Sequence, residues 1–266
     1  MTYRTIRTCR SIIAAAIIAG TLGVNGSHAA TTKMASSSEL KSVDANDIVV
    51  KADEIRFPSY AFQVDIDVTT IKQNTATGDV RKYRVLSKGN DRTLVNTVAP
   101  ASEKGQFLLM RDKDLWVFLP RVSQPVRLPL SQKLTGQVAN GDLARANFAG
   151  DYSATLLRRE TIEEREFYVL ELTAARRGVT YHRVIYWVDT SNYWPYKAEF
   201  YALSKRLLKT AHYGEYAELG GIIRPTVLSL QDAIGRKEKS LMVYSKMRAR
   251  KLTDKIFTKQ YLKKLK

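Results

Sequence analysis

The sequence predicts a mainly β fold of the α+β class, built as one large, curved antiparallel meander with a helix at each end. Two observations carry this. Apolar and polar residues alternate with period two through most of the chain, as in Phe62, Val64, Ile66 and Val68 against Gln63, Asp65, Asp67 and Thr69. Most gaps between such runs are too short for a crossover helix, so neighbouring strands must pair antiparallel. A third observation breaks the rhythm: Pro120 to Gly150 holds Pro120, Pro125, Pro129, Gly136, Gly141 and Gly150 among scattered leucines.

The first helix is marked by Asp44, a good N-cap, and by Asp47 in the first turn, where the helix dipole favours an acid. Ala45, Ile48, Val49, Ala52 and Ile55 then form one apolar stripe, and Pro58 ends the helix region. A helix this short is marginal alone, so its stripe must dock. Strand patterns follow at Phe62–Thr69, Arg81–Ser87, Thr93–Ala99, Gln106–Arg111 and Leu115–Leu119. After the Pro/Gly-rich segment they resume at Asp151–Glu160, Glu166–Thr173, Thr180–Val188, Tyr196–Ala202, Leu207–Tyr216, Ile222–Leu230 and Lys239–Arg248. Turn signals such as Lys88-Gly89-Asn90-Asp91, Arg176-Arg177-Gly178 and Gly220-Gly221 separate them. The Pro120–Gly150 segment is too apolar to be disordered, so it should lie over an apolar surface, with a helical turn near Gly141–Asn147 and Asp142 at its start. A final helix is expected after Asp254, with Phe257, Tyr261 and Leu265 on one face.

The N-terminus predicts export. Arg4, Arg7 and Arg10 form a basic n-region, Ser11–Val24 an apolar h-region, and Ser27-His28-Ala29 a small-x-small site. Residues 1–29 thus read as a cleavable signal peptide and 30–266 as a single domain. Removing 29 of 266 residues leaves 237, enough for one sizeable core. Cys9 leaves with the leader, so thiolate zinc sites and a cysteine nucleophile are excluded from the mature chain. Three arginines leave as well, taking the formal charge from +17 to +14. In an exported protein that excess suggests anionic lipid headgroups or an acidic partner rather than nucleic acid. Nine of the basic residues lie between Lys246 and Lys266, against one acid. Lys259, Lys263, Lys264 and Lys266 are the candidate membrane or partner contacts, although a docked helix with a solvated basic face is the favoured explanation.

Signals for catalysis are poor. There is no G-x-S-x-G elbow, no H-E-x-x-H and no phosphate-binding glycine loop. His182 and His212 sit in strand patterns beside tyrosines. Asp65 and Asp67 lie on the wet side of a strand, and the Glu160, Glu163, Glu164 and Glu166 cluster, interrupted by Arg165, would bind metal only weakly. No catalytic residue, metal or cofactor is assigned. A curved sheet with one covered face can instead leave an apolar space that admits an acyl chain. Burial is worth about 0.8 kcal/mol per CH2, so several methylenes give useful affinity without catalytic groups.

One ordered set of short motifs bears on family. It comprises Asp114-Leu115-Trp116-Val117-Phe118-Leu119-Pro120, then Val126-Arg127-Leu128-Pro129-Leu130-Ser131-Gln132, Gly136, Asp142-Leu143 and Asp151-Tyr152. Downstream stand Tyr168-Val169-Leu170-Glu171-Leu172, Tyr181-x-Arg183-Val184-x-x-Trp187-Val188-Asp189, Tyr193-x-Pro195, Lys209-Thr210 and Phe257-Thr258-x-x-Tyr261-Leu262. Together, from roughly Tyr83 to Leu262, they resemble the LolA-like outer-membrane lipoprotein-sorting protein family. The resemblance implies a periplasmic protein with an open antiparallel half-barrel, LolA/LolB-like, and helices covering its concave face. It also implies a cavity for lipid or lipoprotein acyl chains.

The function expected from the sequence is therefore non-catalytic carriage of such a chain, for lipoprotein sorting or lipid transport. Phe62, Val64, Ile66, Trp116 and Phe118 are the candidate cavity walls, and Leu134, Val138, Leu143 and Phe148 the candidate lid. For each of these residues ordinary core packing is the competing explanation. The alternative function is a periplasmic interaction or sensor module partnering an RND/MMPL-type transporter or a stress pathway.

Overall fold

The computed structural model describes residues 44–73, 78–235 and 238–264. The expected signal peptide, Leu265 and Lys266 lie outside the described residues. Helix α1 (Ala45–Arg56) forms as its stripe requires: the Asp44 side chain accepts from Asn46 N, Asp47 sits in the first turn, and the helix stops before Pro58. Its buried side is Ala45, Ile48, Val49 and Ala52, with Asp53 among them.

Fifteen strands follow among the described residues. They are β1 (Phe62–Ile71), β2 (Asp79–Lys88), β3 (Arg92–Ala99), β4 (Phe107–Arg111), β5 (Asp114–Phe118), β6 (Val126–Leu128), β7 (Lys133–Thr135), β8 (Val138–Ala139), β9 (Tyr152–Ile162), β10 (Arg165–Ala174), β11 (Arg183–Asp189), β12 (Pro195–Tyr201), β13 (Leu207–Leu219), β14 (Ile222–Asp232) and β15 (Lys239–Ala249). Thirteen form one curved sheet in the order β6-β5-β4-β3-β2-β1-β15-β14-β13-β12-β11-β10-β9, while β7 and β8 pair separately. All neighbours are antiparallel, and β6 and β9 do not pair with each other, so the barrel is open. Strand β1 lies mid-sheet between β2 and β15. The chain therefore builds one wing outward from the centre, jumps from edge β6 to edge β9, and returns to the centre through β15.

That jump explains the Pro/Gly-rich segment. Residues 129–151 connect opposite edges of the sheet, so they must cross its open side. They include the β7–β8 hairpin and a short helix, α2 (Asn140–Ala144), in which Asp142 Oδ2 accepts from Ala139 N. The segment is more ordered than its composition suggests.

Period two divides the sheet into two faces. Phe62, Val64, Ile66 and Val68 face inward beneath α1. Asp65 and Asp67 point outward and pair with Arg84 and Lys82 on β2. The C-terminus differs from the expected single helix. Asp254 does not cap; its carboxylate meets Lys88 and Arg92 instead. Residues Asp254–Phe257 form a 3-10 turn, and Thr258, accepting from Tyr261 N, starts a separate short helix α3 (Lys259–Lys263). A cap residue in the middle of the expected helix divides it in two.

Candidate functional site: the covered inner face

The inner face is an apolar trough. β1 contributes Phe62, Val64 and Ile66, all at most 1 % exposed, and β2 sets Val85 opposite Val64 and Tyr83 opposite Ile66. On the other wing Leu170, Val184, Tyr186, Phe200, Ala211 and Leu230 belong to the same core. Over this trough lie α1 and the crossing segment. Val138, Leu143 and Phe148 are buried against the sheet and Leu134 is half-buried. Phe148 packs edge-on to Tyr152 and Tyr186, with centroids 5.6 and 5.3 Å away. The four expected lid residues and the three β1 residues thus meet in one core.

Trp116 and Phe118 do not join them. Leu115 and Val117 take the inward positions of β5, so Trp116 and Phe118 point to the outer face. There Phe118 packs with Leu94, Leu109, Phe257 and Leu262, under the C-terminal segment. The expected tail contacts lie beside it: Lys259 Nζ sits 3.9 Å over the Trp116 ring, Lys263 donates to Gln124 and Lys264 is exposed. Lys266 is outside the described residues.

The trough is also filled. The gap enclosed by Arg56, Phe148, Tyr213 and Tyr244 measures about 30 Å3, and a second gap across Arg56 about 20 Å3. Each has room for a water or two, not for an acyl chain. The space around Arg56 and Phe148 is closed in this conformation, whereas larger open grooves, about 260 Å3 beside Val138, Ala139, Tyr181 and Leu208 and about 310 Å3 beside Leu115, Leu128 and Leu130, lie along the rim of the crossing segment.

Polar groups hold these covers in place, and the sequence reading missed them. Asp53, 2 % exposed, accepts from Phe148 N and Ala149 N at 2.7 Å each and pairs with Arg56. Arg56 donates in turn to Ala146 O at 2.9 Å, and its guanidinium lies 4.4 Å from the Phe148 centroid. Burial pushes the Asp53 carboxyl up, against the pull of Arg56 and of the two backbone donors. Further along, Asp142 receives hydrogen bonds from Tyr181 Oη and Lys209 Nζ, both at 2.7 Å, and Lys209 also donates to Gln137 O. Burial pulls the Lys209 ammonium down, and Asp142 partly restores it. Arg145 pairs with Asp151, which Arg176 also meets, and reaches Asn90 O and Asp112 O. Two buried polar atoms here, Arg56 Nε and Tyr186 Oη, have no partner. The close fit is also steric: a Cβ at Gly141 would lie 1.9 Å from Thr180 Oγ1.

A signal for these groups does exist in the sequence. Asp53 follows Val49 by one helical turn, inside the apolar stripe. Lys209 shares a strand face with Ala211 and Tyr213. An ionisable residue in an apolar repeat needs a buried partner.

Glu160 and Glu166 pair with Arg158 and Arg159, and burial lowers the pKa of His212. Among the described residues no group of three or more His, Cys, Asp or Glu is placed to hold a metal ion.

A solved LolA superfamily protein from Nitrosomonas europaea is 54% identical to this chain, covering 82% of it and 99% of its own length, with a TM-score of 0.79. The chain belongs to the LolA superfamily. Two more distant structures show the same fold at a TM-score of 0.70. One is a putative outer membrane lipoprotein-sorting protein domain from Vibrio parahaemolyticus, 20% identical over 82% of this chain and 98% of its own. The other is a DUF1329 family protein from Desulfovibrio piger, 21% identical over 84% and 98%. A family model described as "uncharacterized protein" matches residues 89–264, and no curated protein matches. Within the LolA superfamily architecture, the covered trough of this chain is the open side of its half-barrel.

Proposed function

We propose that this protein is an exported, periplasmic, non-catalytic carrier of lipid or lipoprotein acyl chains, which bind in the trough after the crossing segment is displaced. One observation carries the proposal. The apolar inner face is covered by α1 and the crossing segment, none of whose strands is paired to the thirteen-stranded sheet. Such covers can lift without breaking a strand ladder, and lifting them exposes a continuous apolar surface. The superfamily membership and the Vibrio relative's name as a lipoprotein-sorting protein domain support the same substrate class. In this proposal Phe62, Val64 and Ile66 floor the site, and Leu134, Val138, Leu143 and Phe148 are exchanged for the acyl chain. Trp116 and Phe118 have no part in it.

The mature chain from Ala30, purified without detergent, should carry lipid detectable by native mass spectrometry and solvent extraction. Stripped of lipid, it should bind a fluorescent fatty-acid or lipopeptide probe with micromolar affinity. Leu134→Asp changes a half-buried lid residue, and should weaken probe binding by roughly tenfold, equivalent to about 1.4 kcal/mol. A folded protein that ignores every acyl probe would refute the carrier reading.

A further inference from the structure

Exposed apolar side chains gather at one end of the sheet, beside the C-terminal end of α1. Gly220 and Gly221, with φ of 69° and 88°, form a two-residue turn between Leu219 and its register partner Ile222. This sharp turn puts Ile222 and Ile223 at the hairpin tip, 44 % and 50 % exposed. Tyr60, 42 % exposed, donates to Gly220 O at 3.3 Å, so its ring joins them.

Cations border this tip. A Cβ at Gly220 would lie 3.1 Å from Met247 Cγ on β15. Arg250 N bonds Ala61 O, next to Tyr60. Lys246, Arg248, Arg250 and Lys251 are all exposed around these contacts. Among the described residues none of the four has a carboxylate within 4.0 Å. Asp65 feels the charge of Lys246 and Arg248 but is bonded to Arg84. Glu215 and Glu218 are the exposed acids of the same hairpin. Arg224, at the base of the tip, donates to Ile55 O and ties the hairpin to the end of α1, beside Arg56.

We propose that the β13–β14 tip, Tyr60 and the basic end of β15 together form a contact site for an anionic lipid bilayer surface. The chemistry is complementary in two parts. A small convex apolar tip with an amphipathic tyrosine suits the interface between headgroup and acyl regions, and the exposed cations around it, of which Arg250 also donates to Gln63 Oε1, suit anionic headgroups. A bilayer needs no matching pocket, whereas a protein partner would need one for a tip this small. The tail lysines are a separate candidate contact, with Lys259 over Trp116 and Lys263 donating to Gln124 on the outer face. This site does not depend on what the trough carries.

The test is sedimentation of the mature chain with vesicles of phosphatidylcholine alone or with added phosphatidylglycerol. Binding should require phosphatidylglycerol and fall steeply with salt, since exposed charges are screened within about 8 Å at physiological strength. Ile222→Asn with Ile223→Asn, and separately Arg248→Gln with Lys251→Gln, should each lower partitioning by about tenfold. Lys263→Gln with Lys264→Gln should leave it nearly unchanged, and acyl-probe affinity should survive in all three. As a second measurement, a polarity-sensitive dye on Ile223→Cys should shift to the blue with anionic vesicles, while one on Lys264→Cys should not. The mature chain has no other cysteine. Absence of binding to anionic vesicles, binding unchanged in both tip variants, or a silent dye at 223 would each overturn the proposal. Capture of an acidic protein without any vesicle response would overturn it too and assign the tip to a protein partner.

Discussion

The two faces of the sheet are covered by different means. On the inner face the covers are fastened by buried ions: Asp53 with Arg56, Asp142 with Lys209, and Asp151 with Arg145 and Arg176. On the outer face the C-terminal segment is held by Phe257 and Leu262 against Leu94, Leu109 and Phe118, and its ion pairs, from Asp254 to Lys88 and Arg92, lie at the exposed rim. Apolar packing is tolerant of small slides, whereas buried ion pairs specify one seat and penalise every other. The inner covers are thus held in place by several buried ion pairs. The outer cover is a permanent part of the core.

The largest test of this contrast is Asp53→Ala. It leaves Arg56 buried without its counterion and frees two backbone donors, a loss of about 3–5 kcal/mol. Chemical denaturation should show that loss, and the double variant Asp53→Ala with Arg56→Met should recover part of it. If Asp53→Ala is neutral, the inner cover is held by packing like the outer one. Next in size is Leu262→Ala. Fully buried on the outer face, it should cost about 2–4 kcal/mol of stability while leaving the uptake rate of an acyl probe unchanged. A changed uptake rate would show that the two covers are coupled.

The smallest effect is in pH: on both faces stability should rise with pH, but in different windows, alkaline for the inner face and acid for the outer one. Burial lowers the Lys209 pKa, so the folded state releases that proton before the unfolded chain does. Its contribution to stability therefore rises with pH, from the depressed pKa up to the ordinary lysine value. Lys209→Met should remove that rise. Asp254 is held below the ordinary carboxylate range by Lys88 and Arg92. Its contribution is present at neutral pH and disappears as pH falls through the lowered pKa, an effect that salt should weaken. Asp254→Asn should remove the acid-side loss and leave the alkaline side untouched. Melting curves across pH for both variants check the two windows.

What was legible in the sequence follows from the same contrast. Where a strand has one wet face, as in β1, alternation fixed both its existence and its direction, and Asp65 and Asp67 point outward as their neighbours required. β5 is buried on both faces, so Leu115-Trp116-Val117-Phe118 reads as an unbroken apolar run with no parity in it. The large aromatics drew the assignment inward, while the smaller pair, Leu115 and Val117, takes the inner side. The ionic fastenings were harder still. Asp53 and Lys209 stand out as faults in an apolar pattern, yet their partners on the crossing segment are separated from them by 95 and 67 residues. No local spacing rule spans that distance.

The path of residues 129–151 has a mechanical consequence. Because the segment is anchored at β6 on one edge and β9 on the other, it works as a bowstring rather than a hinged flap. It cannot swing clear, and whatever enters must pass beneath or beside a tether fixed at both ends. The bow is the thirteen-stranded sheet, whose curvature and the slack of the string are one variable: flattening the sheet tightens the string, and curling it loosens the string. In the proposed carrier the largest object that fits would be set by the length of the string, so adding residues at the exposed Ser131–Gln132 turn, past the buried Leu130, would enlarge the gauge.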